Sequence, residues 1–148
     1  MKNFFSFPDT RSVDKIPQGI QHLIIGDMAR QCGGQVTFYS MENTLTLDSH
    51  QILISKIHSK PNIDGFIFLT TEQIFKNMNR GTKIMNLLLQ NNWEAHFSIE
   101  KISLKSKDDL EELFPLLRVK NFTDQRDKNK IYLSKFYQNF VKNTSSAL

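Results

Sequence analysis

The chain is short of the residues that usually announce chemistry. Among 148 residues there is one cysteine, Cys32, so no intrachain disulfide can form and the small secreted disulfide scaffolds are excluded. A reducing compartment, and with it a cytoplasmic location, is the expectation. The six glycines never fall into G-x-G-x-x-G or G-x-x-x-x-G-K-[ST], so the glycine cradles for a dinucleotide or a P-loop phosphate are missing. No Cys/His cluster has zinc spacing, and no metal or cofactor is expected. No run approaches the ~20 apolar residues of a membrane span. The apolar start at Phe4, Phe5 and Phe7 is broken by Pro8, too soon for a signal peptide. After it stands Pro8-Asp9-Thr10-Arg11, where a flavin-phosphate loop would need small hydroxyl residues and glycine. Leu69-Thr70-Thr71 occupies the place where a phosphoacceptor receiver would carry its aspartate.

What is present suits one α/β domain with a tail. At 39% hydrophobic content a chain of this length buries roughly two-thirds of its unfolded surface. Residues 1–118 hold 13 Lys and Arg against 13 Asp and Glu, and residues 119–148 hold 6 against 2. The whole net charge of +4 therefore sits in the last thirty residues.

Apolar spacing sets the elements. Phe4 to Phe7 reads as a buried first strand, followed by a polar loop through Asp14. Pro17 suits a first helical position, Ile20, Leu23, Ile24 and Met28 recur at helical spacing, and Gly33-Gly34 stops that helix near Cys32. Val36 to Tyr39 is a second strand. Asp48 or Ser49 is placed to cap a helix bearing Ile52, Leu53 and Ile57, ended by Pro61. Phe66-Ile67-Phe68-Leu69 is a continuous apolar run, as in strands buried on both faces. Helices at 71–78 and 81–91 follow. Ala95, Phe97 and Ile99 alternate with His96, Ser98 and Glu100, marking a fourth strand near a sheet edge. Ser106 with Asp109 forms a capping box for a helix carrying Leu110, Leu113, Phe114 and Leu117. Four strands alternating with helices predict a three-layer flavodoxin-like sandwich on a mainly parallel sheet. Residues 119–129 read as a polar linker. Residues 130–143 read as a basic amphipathic helix, its stripe Tyr132, Leu133, Phe136, Tyr137, Phe140 and Val141 suited to packing or self-association.

In open α/β sheets ligands bind outside the carboxyl ends of the strands, where loops and helix amino termini converge. That rule gathers Arg11 and Ser12 after the first strand, Ser40 and Glu42 after the second, Thr70 after the third, and Ser98 and Glu100 after the fourth. Glu42 and Glu100 would make a carboxylate pair for general acid/base work on a hydroxylated substrate, although each also suits a solvated loop. His96 would be a general base or hydrogen-bond partner, or a satisfied strand histidine. Arg11 with Ser12 would hold a phosphate or carboxylate, or simply connect. Cys32 reads as core packing, because neither a histidine nor a helix amino terminus is implied beside it.

Several segments together resemble the sporadic carbohydrate cluster family, small proteins encoded among bacterial surface-polysaccharide genes. They are Ile16-Pro17 with Gln21 and Asp27, then Glu42, Ser49-His50, Asp64-Gly65-Phe66-Ile67, and Glu94-Ala95-His96-Phe97-Ser98-Ile99-Glu100, spanning about residues 16–104. Thr70-Thr71-Glu72 departs from the proline of that pattern, and the basic tail is not part of it. The resemblance implies a role in surface-carbohydrate biosynthesis and adds Gln21 to the substrate-binding set. At the fold level the chain is also similar to the catalytic domain of serine recombinases, with Phe5-Ser6-Phe7-Pro8-Asp9 where Tyr-x-Arg-x-Ser would stand. The expectation is a protein that binds a sugar or nucleotide sugar, with Glu42, His96 and Glu100 catalytic in an isomerisation, epimerisation or hydrolysis. The competing expectations are a non-enzymatic assembly module acting through the tail, and a nucleic-acid-binding recombinase-like domain. The small basic excess argues against nucleic acid.

Overall fold

The computed structural model describes residues 1–128, with side chains through Val119. They form five strands and five helices: β1 (Lys2–Phe7), α1 (Gln18–Gln31), β2 (Gly34–Tyr39), α2 (Gln51–His58), β3 (Gly65–Phe68), α3 (Glu72–Phe75), α4 (Met78–Gln90), β4 (Glu94–Phe97), β5 (Ile102–Leu104) and α5 (Lys107–Lys128). A single 3-10 turn, Thr10–Ser12, interrupts the loop after β1. By compactness the chain divides into two units, Met1–Leu110 and Glu111–Leu148.

In the first unit the strands form one sheet in the order β2-β1-β3-β4-β5, parallel except for β5, which runs antiparallel to β4. This architecture is α/β and consistent with a flavodoxin-like sandwich, but the sheet has five strands where sequence periodicity predicted four. Three residues, Ile102, Ser103 and Leu104, are too few for alternation to register, and β5 exists because it pairs with β4 across the turn at Lys101 (φ 55°).

Period-two alternation sorts the aromatic side chains onto two faces. On one face Phe4, Ile67 and Leu69 pack against Ile25, Met28 and Ala29 of α1. On the other, in-register neighbours stack across three strands: Phe5 on Phe66 at 5.2 Å between ring centroids, and Phe68 on Phe97 at 5.5 Å. Trp93 and Phe75 close that face against Phe66 and Phe97. Every residue of β3 is buried, as its unbroken apolar run implied. By contrast, all of β2 except Gly34 is exposed, because β2 is an edge strand.

Two helix ends follow the local signals read from the sequence, while Pro17, read as the first helical residue, stands one place earlier as the N-cap of α1. Gly33 (φ 79°) takes the left-handed position that ends α1 at Cys32, and Ser106 with Asp109 makes the reciprocal cap that opens α5. At α2, however, neither Asp48 nor Ser49 caps the helix. His50 stands at the N-cap in a left-handed conformation (φ 54°) without a side-chain bond to the helix, and the cap comes from Glu42. The residues read as a linker from 119 are helical as far as Lys128, so α5 continues through them, with Pro115 inside it. The stripe from Tyr132 to Val141 lies outside the described residues. Among the described residues no helix is long and apolar enough to cross a membrane.

Candidate functional site

The strand order reverses between β1 and β3: the chain leaves β1 toward β2 on one side and returns through β3 on the other. The loops that follow these two strands diverge there, which opens a crevice at the carboxyl ends. Gln73 of α3 spans it. Its amide donates to Phe7 O (2.7 Å) and Pro8 O (3.0 Å), and its Oε1 accepts from Leu69 N (3.1 Å), so one side chain ties the ends of both strands together. The remaining crevice, lined among others by Asp9, Thr10, Glu42 and His50, has about 10 Å³ of free volume, room for one water. Beside it opens a groove of about 280 Å³ lined by Arg11, Leu47, Asp48, His50, Lys76, Asn77 and Arg80.

The loop after β1 is rigid for reasons that can be named. Asp9 accepts from Arg11 N (3.1 Å) and Ser12 Oγ (2.7 Å), which winds the 3-10 turn. Fully buried Gln21 accepts from Asp9 N (2.8 Å) and donates to Asp9 O (3.0 Å) and Ile16 O (2.9 Å). The loop therefore presents Arg11 outward from a fixed base, and Arg11 meets the carboxylate of Asp48 in an ion pair.

The residues expected to do chemistry divide into three groups. Arg11 lines the groove. Most of the others hold backbone. Both oxygens of buried Glu42 accept from the first turn of α2, Ile52 N at 2.9 Å and Leu53 N at 2.8 Å, where unpaired N–H groups and the helix dipole favour a carboxylate. Glu100 accepts from Thr71 N at 2.9 Å and from the Thr71 hydroxyl at the start of α3. Thr70 Oγ1 accepts from Glu72 N, Ser98 Oγ donates to buried Phe68 O, and Ser12 and Gln21 act as described above. Ser40 joins β2 to β1 through its backbone N–H to Ser6 O. The two carboxylates thus serve separate helix starts, and the crevice that contains Glu42 contains neither Glu100 nor His96.

His96 forms the third group, inside the sheet, with its side chain against Glu94 and Cys32 rather than the groove. It lies within β4, fully buried, on the same face as Glu94 at the strand's start. Its Nδ1 is 2.7 Å from Ser103 Oγ and 3.4 Å from Cys32 Sγ, and its Nε2 is 3.4 Å from Glu94 Oε1, near enough for attraction but without hydrogen-bond alignment. Glu94 also accepts both branches of a bond from Lys2 Nζ (2.9 and 3.0 Å). Burial pushes the His96 imidazole below its ordinary range, against the pull of Glu94, and burial likewise pushes the Cys32 thiol up. Both groups are held neutral, and neither is activated. The expectation that no histidine stands beside Cys32 is thereby corrected: sequence separation of 64 residues concealed a contact made through the sheet.

Residue listing by strand ends missed the groove's main contributors. Lys76 and Arg80 lie beyond the first residues after β3, on the α3–α4 junction, and no local motif marks them. Sequence alone reads His50 as a surface or half-buried helix residue, and the structure corrects this: it is buried at the N-cap of α2. Its left-handed backbone and 5% exposure distinguish it in the fold, and no pattern in the sequence does. Among the described residues no group of three or more His, Cys, Asp or Glu side chains is placed to hold a metal ion. Neither a family model nor a curated protein matches the chain.

Proposed function

We propose that this chain is a cytoplasmic protein of bacterial surface-carbohydrate biosynthesis that binds a sugar or nucleotide sugar in the groove at the carboxyl ends of β1 and β3. The observation that carries the reading is that groove: about 280 Å³, rimmed by charged side chains, and beside the crevice where the strand order reverses. The resemblance across residues 16–104 supplies the biosynthetic context. Binding is favoured over catalysis, because Glu42 and Glu100 are engaged by backbone and His96 is buried against Ser103, Cys32 and Glu94, away from the groove's lining.

Thermal unfolding of the full chain across a panel of neutral sugars, sugar phosphates and nucleotide sugars tests this. A ligand at a hundredfold its dissociation constant adds about 2.7 kcal/mol to stability, so a true ligand raises the midpoint by several degrees. A panel at millimolar concentration that leaves the midpoint unmoved would remove the reading.

A further inference from the structure

The groove carries more charge than a neutral sugar requires. Arg11, Lys76 and Arg80 contribute three cations to its wall, against the single carboxylate of Asp48. Its floor includes the start of the 13-residue helix α4, where the Asn77 side chain accepts from Arg80 N and the positive end of the helix dipole lies. A second feature also points to a ligand. His50 is 5% exposed and lines the same groove, its Nε2 lies 2.8 Å from Gln73 O and so carries the proton, and its Nδ1 is buried without a hydrogen-bond partner. Nδ1 is then an unpaired acceptor in the wall that the groove shares with the one-water crevice. Three cations on an open groove describe a site for a phosphate, and the sugar part comes from the reading above.

The one anion in the groove is placed as a substitute for that ligand. Asp48 is 88% exposed at its side chain, yet it pairs with the guanidinium of Arg11, whose backbone is fixed by Asp9 and Gln21. An ion pair so exposed is worth little. A phosphoryl group, with more charge and a geometry matched to the guanidinium fork, displaces it readily.

Building on the reading that this groove takes a sugar ligand, we infer that it is a phosphate-binding subsite in which Asp48 is an internal counter-ion, holding Arg11 until the phosphoryl group of a sugar phosphate or nucleotide diphosphate sugar replaces it.

Calorimetric titration of the full chain and its Asp48→Asn, Arg80→Gln and Lys76→Gln variants would test this. The probes are inorganic diphosphate, glucose 1-phosphate, uridine diphosphate glucose and glucose. The wild-type chain is expected to bind the anionic probes, more weakly as salt rises. Arg80→Gln and Lys76→Gln each weaken that binding roughly fivefold or more. Asp48→Asn tightens it roughly threefold to fivefold, the amount an exposed pair of this kind releases. All three positions are on the surface, and matching circular dichroism melts establish that the variants are folded. Asp48→Asn binding that is unchanged or weaker overturns the counter-ion role. Glucose binding without any anion binding overturns the subsite and leaves the sugar reading standing. Binding of inorganic diphosphate alone, with no preference for either sugar-bearing probe, supports the subsite and overturns the sugar reading. Preference between the two sugar probes identifies which source of phosphate the groove takes.

Discussion

The two ends of this sheet are built from the same kinds of side chain and use them differently. At the carboxyl end, carboxylates and amides turn toward backbone: Glu42 caps α2, Glu100 meets Thr71 before α3, and Gln21 and Gln73 pin the loops. At the amino end, side chains turn toward one another: Glu94 takes Lys2 and faces His96, which lies between Ser103 and Cys32. The cause is the direction of the helices. At the carboxyl end of parallel strands the helices begin and offer unpaired N–H donors, so an acid finds its partner in the main chain. At the amino end they finish, as α1 does at Cys32, and expose carbonyls, so an acid must find a cation. An ionisable group in a loop after a strand is therefore weak evidence of catalysis until its backbone partners are counted.

If that contrast is right, the carboxyl end is where single side chains carry stability. Gln21→Ala should show the largest effect, about 3 kcal/mol lost in urea unfolding, because it strands the N–H of Asp9 and two carbonyls in a buried place. Glu42→Ala should cost about 2 kcal/mol through the two N–H groups of α2 that it leaves uncapped. Glu94→Ala, at the amino end, should cost under about 1 kcal/mol, since its partner Lys2 is 42% exposed and regains water. Equal losses at Glu42 and Glu94 would erase the distinction between the ends.

A pH measurement sharpens it from the other side. The native chain holds the His96 imidazole below its ordinary 6.5, chiefly by burial. Above about pH 6.5 both native and unfolded chains carry it neutral, and it adds no pH dependence. As pH falls from there toward the native value, the unfolded chain gains a proton that the native chain refuses, so stability drops across that window. Urea midpoints at several pH values should show that slope in the native sequence and a shallower one in His96→Gln. A variant slope as steep as the original would move the effect to another group. The smallest effects belong to the groove: Lys76→Gln should change stability by no more than about 0.5 kcal/mol, because Lys76 is exposed and caps α3 through its backbone, which glutamine keeps, while the change still weakens anion binding.

Much of the fold was legible along the chain. The helix stop at Gly33, the buried run through Phe66 to Leu69 and the Ser106–Asp109 cap are local signals, each depending on residues a few positions apart. Legibility failed where the partner was distant. The short strand β5 registers only against β4, the cap of α2 arrives from Glu42 nine residues before the helix begins, and the contact between Cys32 and His96 joins residues 64 positions apart. Of the candidate site, Arg11 was recognised in advance, while Lys76, Arg80 and the groove-lining role of His50 were not. Position after a strand names which residues can reach the carboxyl end, and says nothing of which ones a helix start will claim first.

Sequence by itself determined the class of this protein: alternating apolar periods of two and 3.6 force strands and helices into layers. Tertiary structure alone decided where the open chemistry lies. Burial and side-chain or backbone pairing occupy Glu42, Glu100 and His96, and the same packing leaves Arg11, Lys76 and Arg80 around one groove with Asp48 as the carboxylate among the described residues that line it. The reason is that a side chain's role depends on which donors and charges surround it in space, and those come from elements that the chain's order does not place side by side.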